Sequence, residues 1–375
     1  MAEERRVVID AGTCSCHAGI AGDDAPTVVI PTRIGRPKNE PIMPPFGSRG
    51  CYVGDLSQEK RGVLSLEYPI KHGIVKDWNG MEEIYHHIFK NSLQVNPSEV
   101  PVLLTDPPFN PTANRENMLQ MMLETFQCPA FFVCMPAVLS LVASGRHAGV
   151  VVDSGDGETH VVPIEGNYPI SQAIRRVNFG GGEMTEYLRR LLLQRGYNFS
   201  TAAEKEIVRE IKDKVSYVAK DFDEEMRFSE ISNKLDMSYT LPDGNTINIG
   251  PERFQCAEAL FNPELIGFEL KGFSELIHDS IMSCPIDLRR HYFCNVILSG
   301  GNTMLQGITQ RVTCDLKRLI YPNVLVKVVE PPDRKYSSWI GGSILASLST
   351  FSSMWIDKYT YEEVGPSILR TKCPH

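Results

Sequence analysis

The sequence predicts an α/β protein built from two related halves, and three observations carry that prediction. A β-branched run ending in an acid, Arg6-Val7-Val8-Ile9-Asp10, is followed at once by Ala11-Gly12-Thr13, so a buried strand turns sharply there. The same grammar returns about 140 residues later, where Gly149 to Val152 reads as a buried strand and Asp153-Ser154-Gly155-Asp156-Gly157 follows it. Stretches of helical spacing lie between and after the two copies, and strands alternating with helices imply layered α/β architecture.

Length and composition bound the rest. The chain has 375 residues, too many for one ordinary core and suited to two domains. Hydrophobic residues at 42% and charged residues at 22% exclude wholesale disorder. Lys+Arg 38 against Asp+Glu 46 gives a net charge of −8, a repulsive average field for a duplex, so nucleic acid is not an expected partner. No apolar run is long enough to span a bilayer, and the opening residues lack the pattern of a signal peptide, so a cytoplasmic protein without a membrane span is expected. The 10 cysteines run from Cys14 to Cys373 without paired clusters, which argues against both a disulfide framework and a zinc site.

Taken in order, the first strand is followed by a second at Ala18 to Gly22, which makes a hairpin. Residues 36–50 contain four prolines and two glycines, so neither helix nor strand continues through them and a surface loop is expected. Thr112 to Phe126 has apolar residues at helical spacing behind the start signal Pro111-Thr112-Ala113-Asn114. The second turn leads into a strand from Thr159 to Ile164, and helices follow at Glu183 to Gln194 and Ala203 to Tyr217. A third strand end, Asn295 to Asn302, carries Gly300-Gly301 ahead of a helical stretch from Met304 to Ile320.

Short glycine turns after buried strands align backbone N–H groups in one direction, which suits the oxyanion of a phosphate. Gly12-Thr13 and Gly155-Asp156-Gly157 fit that description. One such turn is usually only a turn, and it is the duplication that points to a ligand. Asp10 and Asp153 end the two strands; two carboxylates with a polyphosphate form a natural Mg²⁺ site held largely through waters, while the plainer alternative is that each caps its turn. His160 lies near the second turn and could orient a water, although a lone histidine is more often structural.

These residues carry a resemblance to actin along essentially the whole length. It runs from Val8-Ile9-Asp10-Ala11-Gly12 through Ala21-Gly22-Asp23-Asp24-Ala25-Pro26, Lys60 to Leu64 and Tyr68 to Val75. It continues in Asp153 to Gly157, Ala202 to Ile211, Leu241-Pro242-Asp243-Gly244, Leu298-Ser299-Gly300-Gly301 and Trp339 to Phe351. The resemblance implies two duplicated RNase H-like domains around a nucleotide cleft, the fold shared by actin, hexokinase and heat-shock chaperone ATPases. An outer domain of 1–143 plus 337–375, with a mobile loop at about 38–50, would accompany an inner domain of 144–336. ATP or ADP with Mg²⁺ or Ca²⁺ would be held by Asp10, Gly12, Thr13, Asp153, Gly155, Asp156, Gly157 and Thr159 at the phosphates and cation. Gly181, Lys212, Asp213, Gly301, Met304 and Lys335 would surround the nucleoside, with Asp213 where the family has Glu. His72 matches a histidine that actins often methylate.

The departures fall on the chemistry. The family's phosphate loop reads Asp-Asn-Gly-Ser-Gly, and here it is Asp10-Ala11-Gly12-Thr13-Cys14. His17 stands where the family has a lysine at the β-phosphate, trading a permanent cation for an imidazole, so weaker and pH-dependent nucleotide binding is expected. Pro136 stands where the family has the glutamine that positions the attacking water; proline offers neither a side-chain hydrogen bond nor an N–H, so hydrolysis is expected to be weak or absent.

Assembly surfaces are altered as well. Pro41, Pro44 and Pro45 stiffen the loop that docks into a neighbouring subunit, and Phe46 offers an apolar anchor. The cleft used by actin-binding proteins keeps Ala143, Gly145, Tyr168, Leu345, Leu348 and Met354 but has Val142, His147 and Gly166 at changed positions. Arg5 and Arg6 follow Glu3 and Glu4, so the acidic cluster by which many actins attract myosin is largely cancelled and motor activation is not expected. The resulting expectation is a divergent actin-like cytoskeletal protein that binds Mg-ATP, hydrolyses it poorly and assembles with itself or other actin-family subunits. The alternative is a non-polymerising, nucleotide-loaded scaffold subunit. A small-molecule kinase on the same fold would need an acid to activate a hydroxyl and a substrate pocket, and neither can be assigned.

Overall fold

The computed structural model describes residues 5–38, 51–54, 57 and 62–373. The stiffened loop with Pro41, Pro44, Pro45 and Phe46, and Glu3 and Glu4 at the start, lie outside the described residues. The chain divides into two compact units: Met1–Ala148, Ile164–Ser171 and Asp333–His375 form the first, Gly149–Pro163 and Gln172–Pro332 the second.

In the first unit, strands β1 (Val7–Ala11), β2 (Ser15–Ile20), β3 (Val28–Pro31), β4 (Val102–Thr105) and β5 (Ala130–Cys134) form one sheet. The order is Ile356–Asp357, β5, β4, β1, β2, β3. β1 runs antiparallel to β2 with Asp10 opposite His17, and parallel to β4 with Ile9 opposite Leu104. Val7, Val8 and Ile9 are fully buried, as expected for a strand covered on both faces, whose apolar residues run on without alternation. Helices α1 (Thr112–Gln120) and α2 (Pro136–Ala143) cover the sheet, and α1 continues into a π-helical segment, Met121–Thr125. A later helix, Ser337–Ser347, packs on α2, with Ser140 and Ser338 hydroxyls 3.3 Å apart. Its Trp339 is fully buried and donates its indole N–H to the Val8 carbonyl at 3.0 Å, which locks the helix to β1.

The second unit repeats the plan. Strands β6 (Gly149–Ser154), β7 (Thr159–Glu165), β8 (Arg175–Val177), β9 (Val296–Ser299) and β10 (Val328–Val329) give the order β7, β6, β9, β10, with β8 pairing antiparallel to β7. β6 is parallel to β9, as β1 is to β4, so each turn sits between a hairpin partner and a parallel neighbour. Helix α3 (Gly181–Gln194) starts behind Gly180, whose N–H is capped by the Glu183 carboxylate at 2.8 Å. Helix α4 (Ala202–Val215) begins with a capping box between Thr201 and Glu204. Leu188, Leu192, Val208 and Ile211 from these two helices are fully buried in one cluster with Ile249. Helix α5 (Ile308–Leu319) follows the glycine turn at 300–301 and buries Ile308, Val312 and Leu316.

Four boundaries differ from the sequence expectation. β2 begins at Ser15 rather than Ala18, because the turn closes within three residues: the Gly12 N–H donates to the Ser15 carbonyl at 3.0 Å. The stretch expected as one helix from Met304 is a 3₁₀ turn, Gly301–Met304, and then α5, separated by Gly307 at φ 90. The helix starts at 183 and 203 move back to Gly181 and Ala202, where glycine and the Thr201 cap had hidden them.

Candidate functional site

The first turn is a network of side chains. Asp10, at the end of β1, accepts a hydrogen bond from the Thr105 hydroxyl at Oδ1, 2.7 Å away, and Thr105 in turn accepts from the Ala11 N–H at 3.3 Å. Asp10 Oδ2 meets His17 Nδ1 at 3.3 Å, and His17 Nε2 meets the Ser15 hydroxyl at 3.0 Å. Antiparallel pairing puts Asp10 opposite His17, and the two-residue period of β2 puts Ser15 on the same face as His17. The His17 ring stands edge-on to Tyr336, centroids 5.0 Å apart, and the Lys335 ammonium lies 5.5 Å from the Tyr336 ring. Thr13 accepts a hydrogen bond from the Gly73 N–H at 2.9 Å, which ties the turn to the segment carrying His72. Of the expected residues, Asp10, Gly12, Thr13, His17 and Lys335 therefore gather in the first unit.

Sequence reading missed Ser15 and Thr105. Ser15 had a signal, a polar residue two positions from His17 on a strand. Thr105 had none, because only the parallel pairing of β4 with β1 brings it to Asp10. His17 has a side-chain partner on each ring nitrogen.

The second turn is held by backbone and glycine. Gly155 N–H donates to the Glu158 carbonyl at 3.0 Å, and the Gly181 and Gly182 N–H groups at the start of α3 donate to the carbonyls of Gly155 and Asp156 at 3.0 and 2.8 Å. Asn302 donates to the Ser154 hydroxyl at 3.1 Å and to the Gly155 carbonyl at 2.5 Å. Gly300 has φ 88 and ψ 162, and a β-carbon there would stand 2.4 Å from the Ser154 carbonyl oxygen, so no side chain fits. Asp153 Oδ2 accepts from the Ser299 hydroxyl at 3.2 Å, and Asp156 pairs with Arg209 at 3.3 Å.

Thr159 is buried, its hydroxyl donated to the Phe179 carbonyl at 2.9 Å and joined to Ser154 Oγ, so it supports the turn from beneath. Lys212 is buried as well, 3.0 Å from the Gly181 carbonyl and 3.5 Å from Asp213, whose side chain is exposed. Gly301 and Met304 form the 3₁₀ turn after β9, with the Met304 side chain partly exposed. Pro136 is the first residue of α2, where its missing N–H costs no helical hydrogen bond.

His160, on β7, is nearly fully buried and neither ring nitrogen has a hydrogen-bond partner. Its Nδ1 is 3.7 Å from Glu158, but that carboxylate is claimed by Arg176 at 2.6 Å. Burial first, and the Arg176 charge second, push the imidazole pKa down to about 3. His160 is therefore neutral at physiological pH and holds no charge to offer a phosphate.

The residues present fit a phosphate-bearing ligand with a cation. A β-carbon at Gly155 would meet nothing nearer than 3.8 Å and one at Gly301 nothing within 4 Å, so both backbones face open space that a ligand can approach closely. Among the described residues no group of three or more His, Cys, Asp or Glu side chains could hold a metal ion. A cation held at Asp10 or Asp153 would have to draw its remaining oxygens from water and phosphate. No helix among the described residues is long and apolar enough to cross a membrane. A family model for actin matches residues 1–374, essentially all of the sequence whose duplicated turns are described above, and the chain belongs to the actin family.

Proposed function

We propose that this actin-family chain binds ATP or ADP with Mg²⁺ or Ca²⁺ through its two strand-end turns, hydrolyses the triphosphate slowly, and assembles with itself or with other actin-family subunits in the cytoskeleton. The observation that carries the reading is Pro136 at the first position of α2. The fold tolerates proline there, so α2 is intact, but the position offers neither a side-chain hydrogen bond nor an N–H to orient a water. Positioning the attacking water is a main contribution a protein makes to phosphoryl transfer, and its loss slows that step without abolishing binding. Asp10 and Asp153 would hold the cation through waters, Gly12, Thr13, Gly155, Asp156 and Gly157 would meet the phosphates, and His160 stays a neutral buried support. Tyr168, Leu348 and Met354 of the first unit are exposed apolar side chains on which actin-binding proteins would dock, weakened by the changes at Val142, His147 and Gly166.

The test is a single-turnover phosphate-release assay on the ATP-loaded protein and on Pro136→Gln. We expect the variant to release phosphate at least tenfold faster, a lowering of the barrier by about 1.4 kcal/mol. A parent rate equal to that of a conventional actin overturns the slow-hydrolysis reading. Sedimentation in Mg-ATP across a concentration series tests assembly: a pellet above a critical concentration supports filaments, and protein soluble at every concentration supports the scaffold alternative.

A further inference from the structure

Ser15, His17 and Asp10 make a constellation in which Ser15 has no part in the nucleotide reading. One histidine tautomer satisfies both contacts: Nδ1–H donates to Asp10 Oδ2 at 3.3 Å, leaving Nε2 to accept the Ser15 O–H at 3.0 Å. Asp10 is itself oriented by the Thr105 hydroxyl at 2.7 Å. A hydroxyl on a base, the base on a carboxylate and the carboxylate on a further donor is the arrangement that activates a serine as nucleophile, and it is recognised by geometry rather than by fold. Asp10 and His17 are largely buried while Ser15 is half-exposed, so the relay is sheltered and its nucleophile is accessible. The neighbouring Cys16 is no competitor: it is fully buried, and burial with the charge of Asp10 pushes its thiol far above the ordinary range.

The position of the relay suggests its substrate. The Ser15 carbonyl closes the Gly12-Thr13 turn by accepting the Gly12 N–H at 3.0 Å, so the activated hydroxyl belongs to the same hairpin as the candidate phosphate contacts. We propose that Ser15 is a phosphoryl acceptor, taking the terminal phosphoryl group of a nucleoside triphosphate bound at this turn. The Ser15 oxygen forms the new bond to the terminal phosphorus. The bond from that phosphorus to the bridging oxygen breaks, the nucleoside diphosphate leaves with the electron pair, and the hydroxyl proton passes to His17 Nε2. The products are phosphoserine 15 and a nucleoside diphosphate, at most one per chain. With Pro136 unable to present a water, the serine hydroxyl has less competition for the phosphoryl group.

This inference rests on the nucleotide reading, and the experiment separates the two. The full chain is incubated with Mg-ATP, nucleotide occupancy is measured by equilibrium dialysis, and phosphopeptides are mapped by mass spectrometry. In parallel the nucleotide-free protein is treated with a fluorophosphonate, which labels activated serines without any nucleotide. We expect a phosphate and a fluorophosphonate adduct on Ser15, both absent in Ser15→Ala and both formed about 100-fold more slowly in His17→Gln. Bound nucleotide with Ser15 unmodified overturns the acceptor role and leaves nucleotide binding standing. If no nucleotide binds, the nucleotide reading and the phosphoryl transfer fall together, and His17-dependent fluorophosphonate labelling then supports the activated serine alone. Absence of that label as well overturns the relay.

Discussion

His17 and His160 lie on the second strands of two hairpins of one design, both nearly buried, yet His17 has a side-chain partner on each ring nitrogen and His160 has one on neither. The same contrast runs through the turns beside them. The first is knit by Asp10, Thr105, Ser15 and His17, side chain to side chain. The second has side-chain contacts too, Ser299 on Asp153 and Asn302 on Ser154, but adds a layer of carbonyls, N–H groups and glycines, with Gly180 to Gly182 packed on Gly155 and Asp156. The lesson is about which positions have freedom. Where backbone touches backbone only glycine fits, so chemistry there is constrained. Where side chains make the contacts a new set of partners can replace an old one, and it is the first turn that departs from the actin pattern.

The largest effect expected from this comparison is at Gly300. Alanine there must adopt φ 88 with its β-carbon 2.4 Å from the Ser154 carbonyl, on the strand that carries Asp153. Strain and overpacking together should cost about 3 kcal/mol or more. Urea denaturation followed by tryptophan fluorescence would read this as a lower midpoint for Gly300→Ala. Replacing Ser15 by alanine in the side-chain-built turn should cost about 1 kcal/mol, the worth of one hydrogen bond. Equal losses would mean that the two turns are not built differently.

Much of this architecture was legible in the sequence. The runs Val7-Val8-Ile9 and Val150-Val151-Val152 read as buried strands because they are short, wholly β-branched and without alternation, as suits a strand covered on both faces. The duplication was legible because both runs end in Asp and a glycine turn. The start of β2 was not, since Ser15 and His17 are polar on the face where a hydrophobic pattern would have announced a strand. Nor was Thr105, which reaches Asp10 only through parallel pairing between segments nearly a hundred residues apart. The burial of His160 was hidden too: a single histidine among apolar residues reads the same whether its nitrogens are satisfied or not.

The second effect is acid sensitivity from His160. The folded protein holds this imidazole neutral, with its pKa lowered from 6.5 to about 3 by burial and Arg176. The unfolded chain protonates near the ordinary value as pH falls, while the native state does not, so the unfolded state gains. The stability associated with neutral His160 is fully present above about pH 6.5 and is lost progressively toward pH 3, amounting to about 2 kcal/mol by pH 5. His160→Leu removes the titrating group at a site where no hydrogen bond is given up. The difference in unfolding free energy between pH 7.5 and pH 5 should therefore shrink by roughly 2 kcal/mol in this variant. An unchanged difference would show that His160 is satisfied after all, and the contrast with His17 would disappear.

The smallest effect on stability, and the sharpest on ligand, is expected at Gly155. Its β-carbon would meet nothing nearer than 3.8 Å, so Gly155→Ala should leave the urea midpoint within about 0.5 kcal/mol of the parent. The methyl group would nevertheless occupy the open space over the second turn, where the proposed phosphate would approach the backbone. Nucleotide affinity, measured by displacement of a fluorescent ATP analogue, should fall about tenfold, or 1.4 kcal/mol. That separation of stability from binding would arise because Gly155 borders open space, which the proposed nucleotide would enter, whereas Gly300 leaves room for the Ser154 carbonyl. A Gly155→Ala protein that binds nucleotide normally would move the ligand away from the second turn. The carbonyl contacts of Gly155 would then be a matter of packing alone.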